Sequence, residues 1–246
     1  PASGTTNIRA AVFDLKLDQF AGVNFPTSGW AAAANLYSAA AAAVRSPLAG
    51  LPKEPPPPVK QEPPMDRVAW EQHLDRITGA KALPSTVKLH ISGHQFFPEF
   101  IQAVQEAEHS IDILSYIWDT DDYAIQIADL LRQRSHEVKV RVLVDEAASF
   151  QSALMPPDSP QQPDHRAPSS ILHHLRRDSR IDARPMAMSA LTANHSKMVI
   201  IDGKRAWLGG MNIGREYRVD WHDMMAEVRG PLTGWMQRTF DATWAH

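Results

Sequence analysis

Apolar and polar positions alternate over short stretches of this chain and recur at helical spacing in the stretches between. Residues 87–91 alternate, with Val87, Leu89 and Ile91 on one face, which predicts a strand that Gly93-His94 turns. Pro98 predicts a helix start, because a proline at the first helical position loses no hydrogen bond, and that helix runs to about Ser110. Ile111 to Trp118 is a buried strand. Asp119-Thr120-Asp121-Asp122 then caps a helix reaching about Ser135, with Ile125, Ile127, Leu130 and Leu131 toward the core. Val138–Val144 is the next strand, Ser169–Arg177 a helix and Ile181–Arg184 a short strand. Residues 223–228 form a strand, and 231–244 a last amphipathic helix carrying Leu232, Trp235, Met236, Phe240 and Trp244.

The most chemically loaded stretch is Asn194 to Tyr217. His195 to Ile201 is rich in apolar and β-branched residues and stops at Asp202-Gly203, a strong hairpin signal, after which Ala206-Trp207-Leu208 returns. On a strand, His195 and Lys197 share a face. Gly209-Gly210 lets backbone approach a ligand, and Asn212 adds a neutral donor at the same end. These parts suit a phosphodiester. Such a substrate is anionic and resists attack, so it needs a cationic clamp, and a neutral imidazole can serve as nucleophile near neutral pH.

The N-terminal part reads differently. Residues 1–29 have no strong periodicity and read as loosely ordered. Trp30–Val44 favours helix through its alanines, and 47–64 holds eight prolines that make a semi-rigid linker. The boundary falls there: 1–64 as an extension, 65–246 as the domain. Asp66–Ile77 opens the latter as an amphipathic helix with Val68, Trp70, Leu74 and Ile77 on a face. Ala147–Pro168 reads as a long loop after Asp145, on the side where open α/β sheets bind ligands, and so as a substrate-facing lid. A second loop, 186–192, leads into His195.

Composition narrows the classes. The net charge of −3 and pI near 6.4 are no footprint of a nucleic-acid-binding protein. There is no cysteine, so disulfides and thiolate metal sites are excluded. No apolar run approaches the roughly 20 residues of a membrane span. His90 and His94 lack a carboxylate partner and read as ordinary histidines, leaving no metal site.

His195-x-Lys197, four residues, Asp202, six residues and Gly209-Gly210-x-Asn212 together resemble the HKD signature of the phospholipase D superfamily. The similarity spans about 85–246. It takes in Phe100-Ile101, Ile111-Asp112-Ile113, Tyr116-Ile117-Trp118 and Val138–Asp145, and Asn212–Tyr217 with Val228-Arg229-Gly230-Pro231 is most similar to the bacterial cardiolipin synthase branch. Two departures are His195-Ser196-Lys197, where relatives often carry arginine in the middle, and Gly209-Gly210 in place of Gly-Ser.

The resemblance implies an α/β fold, a mixed β-sheet flanked by helices, with no metal and no cofactor. It implies His195 as nucleophile or its acid counterpart, and Lys197 and Asn212, with Gly209 and Gly210, around the phosphate. Asp202 stands in the motif as a catalytic candidate, although the hairpin turn alone accounts for it. Counting eleven positions from Asn212 reaches Asp223, the carboxylate expected to orient the partner motif's histidine. Family enzymes build the site from two motifs, and this chain has one. The expected partners are therefore a phospholipid substrate, a membrane surface and a second HKD half, with nucleic acid not expected. The favoured reading is the N-terminal half of a two-motif enzyme. A homodimeric single-motif nuclease and a catalytically silent lipid-binding half are the alternatives.

Overall fold

The computed structural model describes residues 5–8, 66–79, 81–154, 159–186 and 194–246. The alanine-rich and proline-rich stretches, and most of the loop 186–192, lie outside the described residues. Helix α1, Arg67–Thr78, is capped by Asp66, whose Oδ1 accepts the N–H groups of Val68 and Ala69, both at 3.0 Å. None of its residues is buried.

The main unit is built on an eight-stranded sheet. In chain order the strands are β1 (Thr5–Ile8), β2 (Leu83–Ile91), β3 (Ser110–Ser115), β4 (Lys139–Val144), β5 (Asp182–Pro185), β6 (Met198–Ile201), β7 (Arg205–Gly209) and β8 (Met224–Arg229). Their spatial order is β1-β2-β8-β7-β6-β3-β4-β5. The β3–β4 and β4–β5 pairs are parallel and the others antiparallel, so the expected mixed sheet is present. The helices are α2 (Gly93–Glu106), α3 (Asp122–Arg134), α4 (Glu146–Ala153), α5 (Ile171–Arg176), α6 (Arg215–Val219) and α7 (Pro231–Trp244).

Two apolar layers hold the sheet. On one face Phe96, Phe97, Phe100, Ile127, Leu131 and Leu175 close over Ile111, Ile113, Val142, Val199 and Trp207. On the other, Leu232, Met236 and Phe240 of α7 cover Leu114, Leu143, Ile200, Ala206 and Val228. Each large side chain fully buried in this way contributes roughly 1.5–3 kcal/mol. Polar ties fix the layers in register. Arg141 grips Asp112 through two bonds of 2.7 and 2.8 Å and reaches Asp241 of α7 at 2.7 Å, with its guanidinium 4.9 Å from the Phe240 ring centroid. His90, buried on β2, meets Glu227 of β8 at 3.0 Å, and Arg205 of β7 meets the same carboxylate at 2.8 Å.

Several boundaries differ from those expected. Residues 5–8, read as loosely ordered, add an antiparallel strand to β2, a long-range pairing that local pattern cannot report. Helix α2 starts at Gly93 and contains Pro98, because Phe96 and Phe97 are both buried in the core and their burial outweighs the single backbone bond that proline forgoes. The supposed lid opens with α4 instead of a loop: Asp145 caps it, its Oδ1 accepting from Ala148 N at 2.9 Å. On β2, Leu89 and Ile91 are 52% and 48% exposed, although alternation marks them as a core face. On that face Leu83 and Val87, nearer the start of the strand, pack into the layer beneath α7.

Candidate active site

The hairpin forms as its sequence demands. Asp202 and Gly203 both have positive φ, 53° and 64°, as the central residues of a turn closed by Lys204 N donating to Ile201 O at 3.0 Å, and Ile201 then pairs with Arg205 across a three-residue connection. The strand itself is shorter than expected. β6 begins at Met198, and His195 to Lys197 are irregular chain leading into it. Lys197 is held there by donating from Nζ to the carbonyl oxygen of His195, 2.6 Å away.

Sheet topology gathers the remaining parts at one end. The parallel strands β3 and β4 finish there, β6 starts there because it runs antiparallel to β3, β7 ends there and β8 begins there. That end therefore carries Tyr116, Asp145, His195, Lys197, Gly209-Gly210-Met211-Asn212 and Asp223. The Tyr116 and His195 rings stack with centroids 3.7 Å apart and planes 29° apart, and Lys197 Nζ lies 5.1 Å from the same tyrosine centroid. Asn212 is buried; its Oδ1 accepts from Ile117 N at 2.9 Å and its side chain also bonds that of Tyr217. The Asp223 carboxylate accepts from Met224 N at 2.6 Å and lies against Gly210.

The two glycines also meet a packing need within the domain. A Cβ on Gly209 would meet the Met224 carbonyl oxygen at 2.2 Å, and one on Gly210 would meet Asp223 Oδ1 at 2.2 Å. They admit the neighbouring strand and its carboxylate. Asp202 is not brought to the site. It sits at the opposite end of β6, where its carboxylate accepts from the N–H groups of Glu108, His109 and Ser110 at 3.0, 2.7 and 2.8 Å and so anchors the entry to β3. His90 belongs to the buried tie with Glu227, and His94 is exposed. Among the described residues no group of three or more His, Asp or Glu side chains could hold a metal, and no helix is long and apolar enough to cross a membrane.

The electrostatics favour nucleophilic chemistry. Burial, then the neighbouring Lys197 charge, push the His195 pKa below its usual value against the pull of Asp145, so the imidazole is neutral at pH 7. Burial also lowers Lys197, opposed by Asp223. Burial, with Asp145 adding to it, raises Tyr116 and keeps the phenol protonated. The site is thus a neutral nitrogen base beside a cation, with a carboxylate close to the cation. Sequence reasoning missed Tyr116 and Asp145 as site neighbours. Both fall just after the C-terminal ends of parallel strands, and that position was the available signal.

This eight-stranded mixed sheet, with a histidine and lysine at the strand ends, defines a domain of the phospholipase D-like (HKD) superfamily. Residues 100–244 match the family described as "Cardiolipin synthase, PLD-like domain", and the chain belongs to it. Cardiolipin synthase A of Pseudomonas syringae is 27% identical over 173 residues, covering 64% of this chain and 33% of that protein. Cardiolipin synthase 1 of Bacillus anthracis is 29% identical over 177 residues, covering 68% and 33%. The chain thus spans about a third of the length of the curated relatives it matches. Among solved structures, NucT from Helicobacter pylori superposes with a TM-score of 0.50 at 14% identity, over 65% of this chain and 96% of that one. That likeness concerns the fold.

Proposed function

We propose that this domain supplies one of two histidine–lysine sets in a phosphodiester hydrolase or phosphatidyltransferase acting on phospholipids. The observation that carries the reading is a neutral His195 held beside Lys197 at the end of the sheet where Asn212 and Asp223 also converge. A ring nitrogen of His195 attacks phosphorus while Lys197 and the Asn212 amide stabilise the non-bridging oxygens. The bond from phosphorus to the leaving oxygen breaks, and the second motif's histidine donates the proton that oxygen needs. Water or an alcohol then attacks the phosphohistidine and returns a proton to that second histidine, regenerating both. Asp223 orients the second motif's ring.

The identity of the relatives supports a phospholipid as substrate, and a membrane surface as the place where it is met. A second half is supported by half-exposed Leu89, Ile91, Leu208 and Met224, which lie on the α7 side of the sheet where β2, β8 and β7 approach the site. That second half belongs either to the same enzyme or to another copy of this chain.

The test follows phosphatidyl transfer and hydrolysis on anionic phospholipid vesicles, using the chain alone and mixed with the half of cardiolipin synthase A that it does not match. The expected result is turnover that His195→Ala abolishes, with an acid-labile phosphoryl adduct on His195 in wild type. Sedimentation assigns the partner: a tight two-fold dimer active alone means the copies complete each other. A monomer silent until mixed means a heterologous half. Undiminished turnover by His195→Ala, or silence in every assembly, would refute the proposal.

A further inference from the structure

We propose that Tyr116 is the positioning residue for the motif: its ring sets the orientation of the His195 imidazole and seats the Lys197 ammonium. The proposal rests on the reading of His195 as nucleophile, and its geometry stands on other observations.

His195 lies outside the ladder of β6, so strand pairing does not fix its side chain. In many histidine sites a carboxylate or carbonyl fixes the ring by accepting from one ring N–H. Among the described residues the His195 ring has no hydrogen-bond partner, Asp145 acts on it through its charge alone, and the Tyr116 ring stacks against it at 3.7 Å between centroids. A near-parallel stack limits rotation of the imidazole about its bond to Cβ. It leaves both ring nitrogens free, because their lone pairs and N–H bonds lie in the ring plane and point out from the edge of the stack. One nitrogen can then attack phosphorus while the other meets a carboxylate. A hydrogen bond from the domain's own side chains would occupy one of the two.

The same ring serves Lys197, whose Nζ lies 5.1 Å from its centroid and donates to the His195 carbonyl oxygen. A cation over a tyrosine ring is attracted by the negative charge of the ring face. One aromatic surface therefore fixes nucleophile and clamp relative to each other.

Tyr116 is itself well anchored. The next residue, Ile117, donates its N–H to Asn212 Oδ1 at 2.9 Å and accepts at its carbonyl from Ser115 Oγ at 2.6 Å and from Ile213 N at 3.2 Å. Trp118 N donates to Ser149 Oγ at 3.0 Å. The motif asparagine thereby acts on the motif histidine through this segment: Asn212 holds Ile117, and Ile117 sets the backbone from which Tyr116 projects.

Two measurements on wild type, Tyr116→Phe and Tyr116→Leu test this. The first is proton NMR of the His195 ring in the 246-residue chain, assigned by the signals that vanish in His195→Ala. Stacking predicts upfield-displaced ring protons in wild type, retained in Tyr116→Phe and lost in Tyr116→Leu, with all three chains showing the same denaturation midpoint to within the effect of one surface contact. The second is turnover in the active assembly. Tyr116→Leu lowers kcat about tenfold to a hundredfold with KM little changed, as loss of orientation does, and Tyr116→Phe restores it. Undisplaced His195 signals in wild type would overturn the proposal. So would a Tyr116→Phe variant as slow as Tyr116→Leu, which would assign the effect to the hydroxyl. The spectrum needs no turnover, so an inactive assembly counts against phosphoryl transfer alone.

Discussion

Replacing Gly210 by alanine puts one methyl group into a place already taken. The new Cβ would lie 2.2 and 2.4 Å from the two oxygens of Asp223 and 2.6 Å from its Cγ, where ordinary contact begins near 3.4 Å. The carboxylate must retreat by about 1 Å, more than packed atoms absorb without moving. Retreat stretches its 2.6 Å bond from Met224 N, at the first residue of β8, and withdraws the charge that opposes the lowering of the Lys197 pKa. The carboxylate ends a partly exposed side chain and can swing away, so the cost falls at the low end of overpacking, about 1 kcal/mol. The assay is a double-mutant cycle in urea with Gly210→Ala, Asp223→Ala and the pair, all unfolding with the same denaturant slope. Since the three atoms nearest to the added Cβ all belong to the Asp223 carboxylate, the penalty should largely vanish once it is removed, giving a coupling of about 1 kcal/mol. An equal penalty in both backgrounds would show that Gly210 is there for some other reason and refute the packing argument.

Two further outcomes follow from polar groups the fold holds tightly. Burial raises the Glu227 pKa, but Arg205, His90 and Arg229 outweigh it and bring it down from 4.5 to about 2. Its charge therefore stabilises the fold above pH 4.5, and about 3 kcal/mol of that is lost as pH falls toward 2. Urea midpoints taken from pH 5 to pH 2.5 should show this fall, and Glu227→Gln should be weaker at pH 5 and flatter below it; a mutant with the wild-type slope would contradict the assignment. For Asp202, burial raises the pKa but the N–H groups of Glu108, Ser110 and His109 override it and hold the carboxylate below its usual range. Asp202→Ala, which loses those bonds and a side chain suited to φ 53°, should cost about 2–3 kcal/mol. Asp202→Asn, which tolerates the turn and keeps an acceptor, should cost about 1 kcal/mol, and calorimetry finding the two equal would count against both roles.

The hairpin was legible because Asp-Gly dictates its own backbone, and the strands from β3 to β8 with helices α3, α5 and α7 were legible because their apolar spacing is regular. The candidate site was legible as a list and not as an arrangement. His195, Lys197, Asn212 and Asp223 come together because β6 runs against β3 and β8 against β7. Asp202 falls at the other end for the same reason. Tyr116 was named only as part of a strand, since its stacking on His195 bridges 79 positions of sequence and leaves no local trace. Helix α4 was missed although Asp145 carries the same capping signal as Asp121, because the small polar residues that follow read as loop.

The disagreement over Leu89 and Ile91 is informative in its own right. Alternation marks a face for burial, and Val87 and Ser85 on that face are covered by the layer under α7, with Ser85 Oγ accepting from Leu232 N. Leu89 and Ile91 lie further along the strand, opposite Ala226 and Met224, and Leu208 extends the same row on β7. These are apolar residues of a strand pattern that the domain leaves uncovered, and the row leads to the end of the sheet that carries His195 and Lys197. Covering the exposed half of four such side chains would contribute about 1 kcal/mol each. That sum is modest beside what a stable interface needs, so the strip alone does not explain a partner, but the second motif that the proposed mechanism calls for points the same way. On the proposed reading the site needs an acid for the leaving oxygen, and among the described residues this strip of the sheet has no cover. A single second half, placed over this strip, would supply both.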